Sequence, residues 1–268
     1  MADNFRKIKA VIFDLDDTLT SEYEYVASGY RFVSKLLTER LGHTSEEIEA
    51  RLWELSKESY SHVFNRLFDS YGISYTEDEL SRLITEYREH PPALKFYPDA
   101  EETLAALKDR GILTGIISDG DPERQRNKLR SAVTKMSPLS LHKAGIYSNE
   151  NAQNTETSDL HKADETIGCW FDEIILNDEF GGAEFRKPNP KGFIEMAARL
   201  RIDPAEMIYI GDNPAKDFHI AAELPIRTAR IIRENGIYTD REYLDGIRET
   251  WRIKKLTDVI PIVCEGGA

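Results

Sequence analysis

Three carboxylates follow a short apolar segment near the start of the chain. Residues 10–13 are apolar, and Asp14, Asp16 and Asp17 come directly after them. An apolar run this short, rich in β-branched and aromatic residues, predicts a buried strand. Like charges this close repel each other, and burying them requires a cation or hydrogen bonds to compensate. Because ligands bind at the carboxyl ends of strands in α/β sheets, the cluster predicts a divalent metal and chemistry.

A structural explanation of this cluster is an acid-rich helix N-terminus capped by Asp17 or Thr18, but a second cluster weakens it. Another four-residue apolar segment leads into Gly211 and Asp212, and Asp217 follows about one helical turn later. Two strands that both end in acids are harder to explain by structure alone than one. The pattern indicates a hard cation held mainly by oxygen, and octahedral Mg²⁺ is the expected ion.

Two further polar segments follow predicted strands. Ser118, Asp119 and Gly120 come after apolar residues 113–117. This turn can offer a hydroxyl and backbone N–H groups to a phosphate oxygen, although an ordinary N-cap explains it as well. Lys187 begins a Lys-Pro-Asn-Pro turn. Such a turn is stiff and holds the lysine in place, although surface Lys-Pro turns are also common.

In chain order these groups read Asp-x-Asp-x-Thr, Ser, Lys-Pro and Gly-Asp-x4-Asp, and this order resembles the haloacid dehalogenase superfamily. The resemblance extends over about residues 8–235. A helical insert after the first motif is similar to the type-1 cap of the phosphatase-like branch. The resemblance implies a Mg²⁺-dependent phosphomonoester hydrolase that forms an aspartyl-phosphate. Its substrate would be a small phosphorylated metabolite, either a sugar phosphate or a nucleotide.

The resemblance also implies roles for the acids and the lysine. Asp14 would be the nucleophile, and Asp16 would be the general acid and then the general base. Lys187 would neutralise charge on the nucleophile and the phosphoryl group. Mg²⁺ would be bound by the Asp14 carboxylate, the Asp16 backbone carbonyl and Asp212. Asp217 would be a further ligand or would support Lys187.

The remaining motif residues would surround the substrate phosphate. The resemblance places Thr18, Ser118, Asp119 and Gly120 there, with Thr18 supporting the loop and Ser118 holding a phosphoryl oxygen. Dehalogenases of the superfamily lack an acid at the position of Asp16, because a halide leaving group needs no proton. Phosphoryl transfer from an oxygen leaving group is therefore favoured. A phosphomutase, which must keep water from the aspartyl-phosphate, is the alternative, and a non-catalytic binding protein on this fold is a weaker one.

The segments between the motifs predict an α/β fold, a doubly wound parallel sheet with an inserted helical domain. Strands alternating with helices give parallel sheets with right-handed crossovers. The predicted strands are 10–13, 113–117, 173–176, 207–210 and 227–232. Residues 21–95 carry four amphipathic helical patterns and no convincing strand, which predicts a helical cap. Residues 1–20 and 96–268 would form the core domain.

The cap contains the candidate specificity residues, just past the nucleophile loop. Glu22, Tyr23, Tyr25 and Arg31 are expected near the substrate, although the tyrosines could equally pack inside the helical bundle. A second interval, 137–167, is polar, irregular and low in apolar residues, which predicts a disordered insertion with no part in catalysis.

The composition excludes several classes of partner. The 268 residues are 40% hydrophobic with a net charge of −13, which argues against non-specific binding to nucleic acid or anionic membranes. Two cysteines make no disulfide framework. No apolar stretch reaches the length of a membrane span, and no signal-peptide pattern precedes the first strand. We expect a cytoplasmic enzyme with a small phosphorylated substrate, and the sequence leaves its oligomeric state open.

Overall fold

The chain divides into two compact units. The computed structural model describes residues 6–137, Ser140, Gly145 and 160–265. One unit comprises the chain up to Tyr23 and from Leu94 onward, and the other is Glu24–Ala93. The second unit lies within residues 21–95, where the helical insert is predicted. Of the helices in these described ranges, none has both the length and the apolar character that a bilayer crossing requires.

The first unit is built on a six-stranded parallel sheet, which confirms the predicted doubly wound α/β fold. The strands are β1 Ala10–Phe13, β2 Leu113–Ser118, β3 Glu173–Leu176, β4 Met207–Gly211, β5 Arg227–Ile231 and β6 Trp251–Ile253. Their order is β3-β2-β1-β4-β5-β6, so β1 lies where the order reverses. The sequence analysis missed β6, because Trp-Arg-Ile alternates apolar and polar residues over only three positions, which is too short to predict a strand.

Both faces of the sheet are buried. Val11 and Phe13 belong to one apolar cluster, whereas Ala10 and Ile12 belong to another. Alternate residues of a strand point to opposite faces, so β1 is covered on both sides. The covering helices of this unit are α5 Pro98–Lys108, α6 Pro122–Val133, α7 Leu160–Trp170, α8 Lys191–Leu200, α9 Ile220–Glu223 and α10 Val259–Glu265.

The helical unit contains the four predicted helices. They are α1 Glu22–Leu41, whose first two residues belong to the sheet unit, α2 Ser45–Ser56, α3 Val63–Ser70 and α4 Glu77–Glu89. Tyr25 is buried in this unit, where its ring meets Tyr87 at a centroid distance of 6.0 Å and its hydroxyl donates to the Arg88 carbonyl. The structure thus corrects the specificity prediction for Tyr25, which packs within the bundle. Arg31 is exposed, and its role in specificity stays a prediction.

The predicted 137–167 insertion requires a correction at its end. Residues 160–167 form the first part of α7, and Ala163 and Ile167 are buried in the core. Asp164 pairs with Arg130 of α6, with Nε and Oδ1 2.8 Å apart. The apolar spacing of Ala163, Ile167 and Trp170 is that of one helix face, which the polar average of the interval concealed. Most of the remaining insertion lies outside the described residues, so its predicted disorder stays a prediction.

The loop after β1 is held by Asp17. The backbone of Asp17 has φ 50°, a left-handed conformation that Asp adopts more readily than most residues. Its buried carboxylate accepts the Glu22 backbone N–H at 2.9 Å and the Ile237 backbone N–H at 2.8 Å. Asp17 therefore stabilises the start of α1, although it lies five residues before Glu22 and is not the N-cap residue of the capping explanation. Asp14 and Asp16 are left for other contacts.

We expect Asp17→Ala to lower the free energy of unfolding by about 2–4 kcal/mol, because two largely buried N–H groups lose their acceptor. Asp17→Asn is the matched control, since it keeps one oxygen and tolerates positive φ, and it should lose less. Urea unfolding followed by circular dichroism measures both variants. An unchanged midpoint for Asp17→Ala would contradict this role.

Candidate active site

The carboxyl ends of the central strands bring the predicted motifs to one cavity. Asp14 directly follows β1, and its backbone N–H donates to the Ile210 carbonyl of β4 at 2.8 Å. Asp212 follows β4, next to β1 in the sheet. The cavity has a volume of about 340 Å³, and Asp14, Asp16, Lys187 and Asp212 are among the residues that line it. The structure therefore brings together residues 198 positions apart in the chain (212 minus 14).

A buried lysine links the two carboxylate segments. The Lys187 Nζ lies 2.9 Å from Asp14 Oδ2 and 3.0 Å from Asp217 Oδ1. It also donates to the Tyr209 hydroxyl at 2.6 Å, and that hydroxyl donates to Asp217. Burial alone would lower the pKa of Lys187, but the surrounding carboxylates hold it above its usual value. The ammonium therefore stays charged beside Asp14.

Asp119 positions Lys187, and its side chain offers no donor to a phosphate. Its Oδ1 accepts the Lys187 backbone N–H at 3.0 Å, and its Oδ2 accepts from Lys216 Nζ at 2.8 Å. Burial opposes ionisation, yet Lys187 and Lys216 hold the pKa of Asp119 well below its usual value. An ionised carboxylate cannot donate to a phosphate oxygen, so the Asp119 side chain offers no such contact, and a phosphate contact of this residue through its backbone N–H stays a prediction. The neighbouring Arg186 also lines the cavity and forms a bidentate pair with Asp178.

The carboxylates Asp14, Asp212 and Asp217 form the candidate metal site. One oxygen from each lies within 4.8 Å of the others, and Asp212 Oδ2 is buried without a hydrogen-bond partner in the described part of the chain. Burial raises the pKa of Asp14 to about 6 despite the charges of Lys187 and Lys216. Burial and the neighbouring carboxylates raise the pKa of Asp212 further. A divalent cation would relieve this repulsion and give Asp212 its partner, so the residues fit Mg²⁺.

Asp217 is engaged by other groups. Its Oδ1 contacts Lys187 and Tyr209, and its Oδ2 accepts the Asn213 backbone N–H at 2.9 Å. Both oxygens therefore have protein partners. Of the two predicted roles for Asp217, this arrangement favours support of Lys187 over metal ligation.

Asp16 forms a second, separate network. Its Oδ1 accepts from Lys128 Nζ at 2.8 Å, and its Oδ2 accepts from Gln125 Nε2 at 2.9 Å. Lys128 Nζ also donates to Glu22 Oε2 at 2.6 Å. Burial opposes ionisation of Asp16, but Lys128 and the hydrogen bonds lower its pKa to about 2. Burial and the charge of Asp16 raise the pKa of Glu22 to about 8. At neutral pH Asp16 is therefore ionised.

The other predicted phosphate contacts differ in their exposure to the cavity. Gly120 lines the cavity, and its backbone N–H donates to Asp178 at 3.2 Å. Ser118 is buried, with its hydroxyl accepting from Gln125 at 2.7 Å. Thr18 is also buried, and its hydroxyl has no partner among the residues that the structure describes. The phosphate roles of Thr18, Ser118 and Gly120 stay predictions.

Of the specificity candidates in the sheet unit, Glu22 lines the cavity, as expected. Tyr23 is half-exposed and is not among the cavity-lining residues in the described ranges. Its role in specificity stays a prediction.

Sequence reasoning gave no role to Gln125, Lys128, Lys216 or Tyr209. Gln125 and Lys128 lie three residues apart on α6, on the face that also buries Leu129. Extending the apolar stripe of α6 toward its first turn would have indicated that these two polar residues are buried. Tyr209 has the appearance of an ordinary core residue in a strand, and nothing in the pattern distinguishes it.

Comparisons with known proteins agree with this geometry. A family model for haloacid dehalogenase-like hydrolases matches residues 8–224. The chain is 29% identical over 242 residues to a glyceraldehyde 3-phosphate phosphatase of Methanopyrus kandleri, covering 88% of both chains. It is 28% identical over 186 residues to (S)-2-haloacid dehalogenase 1 of a Pseudomonas species, covering 69% of this chain and 62% of that protein.

The fold is also found among solved structures. A HAD phosphatase from Thermococcus onnurineus, 24% identical, has a TM-score of 0.53 over 96% of this chain and 98% of its own. The family model covers most of the chain and includes every predicted motif. This chain therefore belongs to the haloacid dehalogenase-like hydrolase family.

Proposed function

We propose that this enzyme is a Mg²⁺-dependent phosphomonoester hydrolase that works through an aspartyl-phosphate on Asp14. The observation that carries the proposal is the buried Lys187 ammonium, 2.9 Å from Asp14, beside an Asp212 oxygen without a partner in the described ranges. The lysine holds Asp14 ionised and offsets charge on an incoming phosphoryl group. The ionised carboxylate is the form that attacks.

The reaction has two displacements. An Asp14 oxygen attacks phosphorus, the bond from phosphorus to the leaving oxygen breaks, and Asp16 gives that oxygen a proton. Water then attacks phosphorus, Asp16 takes a proton from it, and the bond to Asp14 breaks to release phosphate. The Asp16 carboxylate, ionised in this structure, is in the form required for the second displacement. It must take up a proton before the first.

The metal would be held by the carboxylates of Asp14 and Asp212 and the backbone carbonyl of Asp16. When bound, Mg²⁺ neutralises charge between Asp14 and the phosphoryl oxygens. Asp217 and Tyr209 hold Lys187 against Asp14. In these roles Lys187 serves the phosphoryl group, and Asp16 serves the leaving group.

We further propose a small sugar phosphate as substrate, with triose phosphates as the first candidates. The Methanopyrus kandleri relative, a glyceraldehyde 3-phosphate phosphatase, supports this class. The cavity volume of about 340 Å³ is also near the lower limit of ligand pockets, which is about 300 Å³. Several cations around the cavity suit the phosphate end, including Lys187 and Lys216.

We expect the wild type to hydrolyse p-nitrophenyl phosphate with Mg²⁺, and EDTA to abolish the activity. Asp14→Asn should lower kcat by on the order of a thousandfold or more, because the amide is a poor nucleophile. Asp109→Asn, an exposed acid-to-amide change after α5, is the matched control and should keep full activity.

Two results of this assay would contradict the proposal. If the folded wild type, supplied with Mg²⁺, hydrolysed neither aryl nor triose phosphates, the proposed hydrolase activity would be wrong. Activity that requires an added sugar bisphosphate would identify a phosphomutase instead.

We expect Mg²⁺ binding to weaken as the pH falls. Asp14 and Asp212 have raised pKa values without metal, so protons compete with the ion below about pH 6. The apparent Kd should rise at least about tenfold between about pH 7.5 and about pH 5, measured by calorimetry. Asp212→Asn should bind Mg²⁺ weakly at both values. A Kd independent of pH would contradict the assignment of these carboxylates.

A further inference from the structure

Lys128 is a buried cation that the superfamily motifs do not include. Its residue is 2% exposed, and its Nζ lies 2.8 Å from Asp16 Oδ1 and 2.6 Å from Glu22 Oε2. Lys128 lies on α6, three residues after Gln125. We propose that Lys128 is a positioning residue for Asp16, required when the leaving oxygen needs a proton. This inference rests on the proposed role of Asp16 as general acid.

The contacts fix the orientation of the Asp16 carboxylate. Lys128 holds Oδ1, and Gln125 holds Oδ2 while also donating to Ser118 of β2. Two donors one helical turn apart therefore define the plane of the carboxylate relative to the end of the sheet. General acid catalysis requires a donor within hydrogen-bond reach of the leaving oxygen, so this orientation matters for the first displacement.

Stability alone does not explain Lys128. Buried ion pairs are weak evidence for stability, because desolvation of the charges offsets their attraction. Here one ammonium serves two carboxylates, Asp16 and Glu22, at the wall of a cavity. An apolar residue on α6 would avoid this cost. The arrangement is therefore better explained by the use of Asp16 in the cavity.

The two buried lysines serve different carboxylates. Lys187 contacts the nucleophile Asp14, and Lys128 contacts Asp16. Loss of Lys187 should harm every substrate, since all require Asp14. Loss of Lys128 should lower the activity most on substrates whose leaving group needs a proton. The competing explanation is that Lys128 merely balances the charge of Glu22.

The experiment compares two substrates in one preparation. Glycerol phosphate has a basic alkoxide leaving group that needs a proton, whereas dinitrophenyl phosphate has a stable phenolate that does not. The ratio of their kcat/KM values does not depend on the fraction of enzyme that is folded. This ratio of kcat/KM values also reports only the first displacement, in which Asp16 gives the proton.

We expect Lys128→Met to lower kcat/KM for glycerol phosphate by on the order of 100-fold, the scale of general acid catalysis, because the lost orientation of Asp16 outweighs its easier protonation. The loss for dinitrophenyl phosphate should stay below about fivefold. Glu22→Gln leaves the contact between Lys128 and Asp16 in place, so it is the reference for variants that also lose Lys128. Lys108→Met, an exposed lysine at the end of α5, is the matched control and should keep the wild-type ratio.

The double variant Lys128→Met with Glu22→Gln removes both members of the Lys128–Glu22 contact, which keeps the test valid if the single variant does not fold. A double variant with a lower glycerol phosphate ratio than Glu22→Gln supports positioning, and one with the same ratio as Glu22→Gln shows that Lys128 only serves Glu22. Equal losses on both substrates for Lys128→Met would also overturn the proposal.

Asp16→Asn separates this result from the general acid role. It must itself lose glycerol phosphate activity selectively. If it does not, the role proposed for Asp16 is wrong, and the inference about Lys128 is overturned with it.

Discussion

The buried ammonium of Lys187 is the interaction on which the site depends. Its contacts come from the loop after β1, from β4 and from the segment after β4, through Asp14, Tyr209 and Asp217. A carboxylate buried without a partner would take up a proton, and three such acids at the end of one sheet would repel each other. The lysine places one positive charge between the carboxylates of Asp14 and Asp217. Its own position is fixed through its backbone N–H by Asp119.

The cavity divides its charges between two functions. Lys187 contacts the nucleophile Asp14, and Lys128 contacts Asp16. Among the hydrogen bonds of the described residues, none joins Asp16 to Asp14 or Lys187. The pKa of Asp14 is raised by burial, whereas the pKa of Asp16 is lowered by its lysine. Two carboxyls in neighbouring positions of one loop thus have opposite electrostatic environments. The ionised Asp16 is suited to act as the base of the second displacement, and it must take up a proton to act as the acid of the first.

The sequence predicted most of the fold and the motif residues, because both leave strong patterns. Apolar runs that end in acids identified β1 and β4, and the order of the motifs identified the family. Patterns could not show that Tyr25 packs inside the helical unit, since this depends on side chains distant in sequence. The apolar stripe of α6 could have indicated that Lys128 is buried, but not that it contacts Asp16 and Glu22. The short edge strand β6 carries too few apolar residues to be recognised. The cytoplasmic setting and the substrate stay predictions.

Several of the residues that break local rules lie around the loop after β1. Asp17 has a left-handed backbone, Gln125 and Lys128 are polar on a buried helix face, and Tyr209 has its hydroxyl beside a charged lysine. A sequence selected for stability alone would place apolar residues at the helix face and in the central strand. These departures are distributed over three separate elements yet converge on Asp14 and Asp16. Asp17 is explained by its support of α1, but the convergence of Gln125, Lys128 and Tyr209 argues that these three are kept for the chemistry of those two carboxylates, and it extends the site beyond the motifs that identify the family.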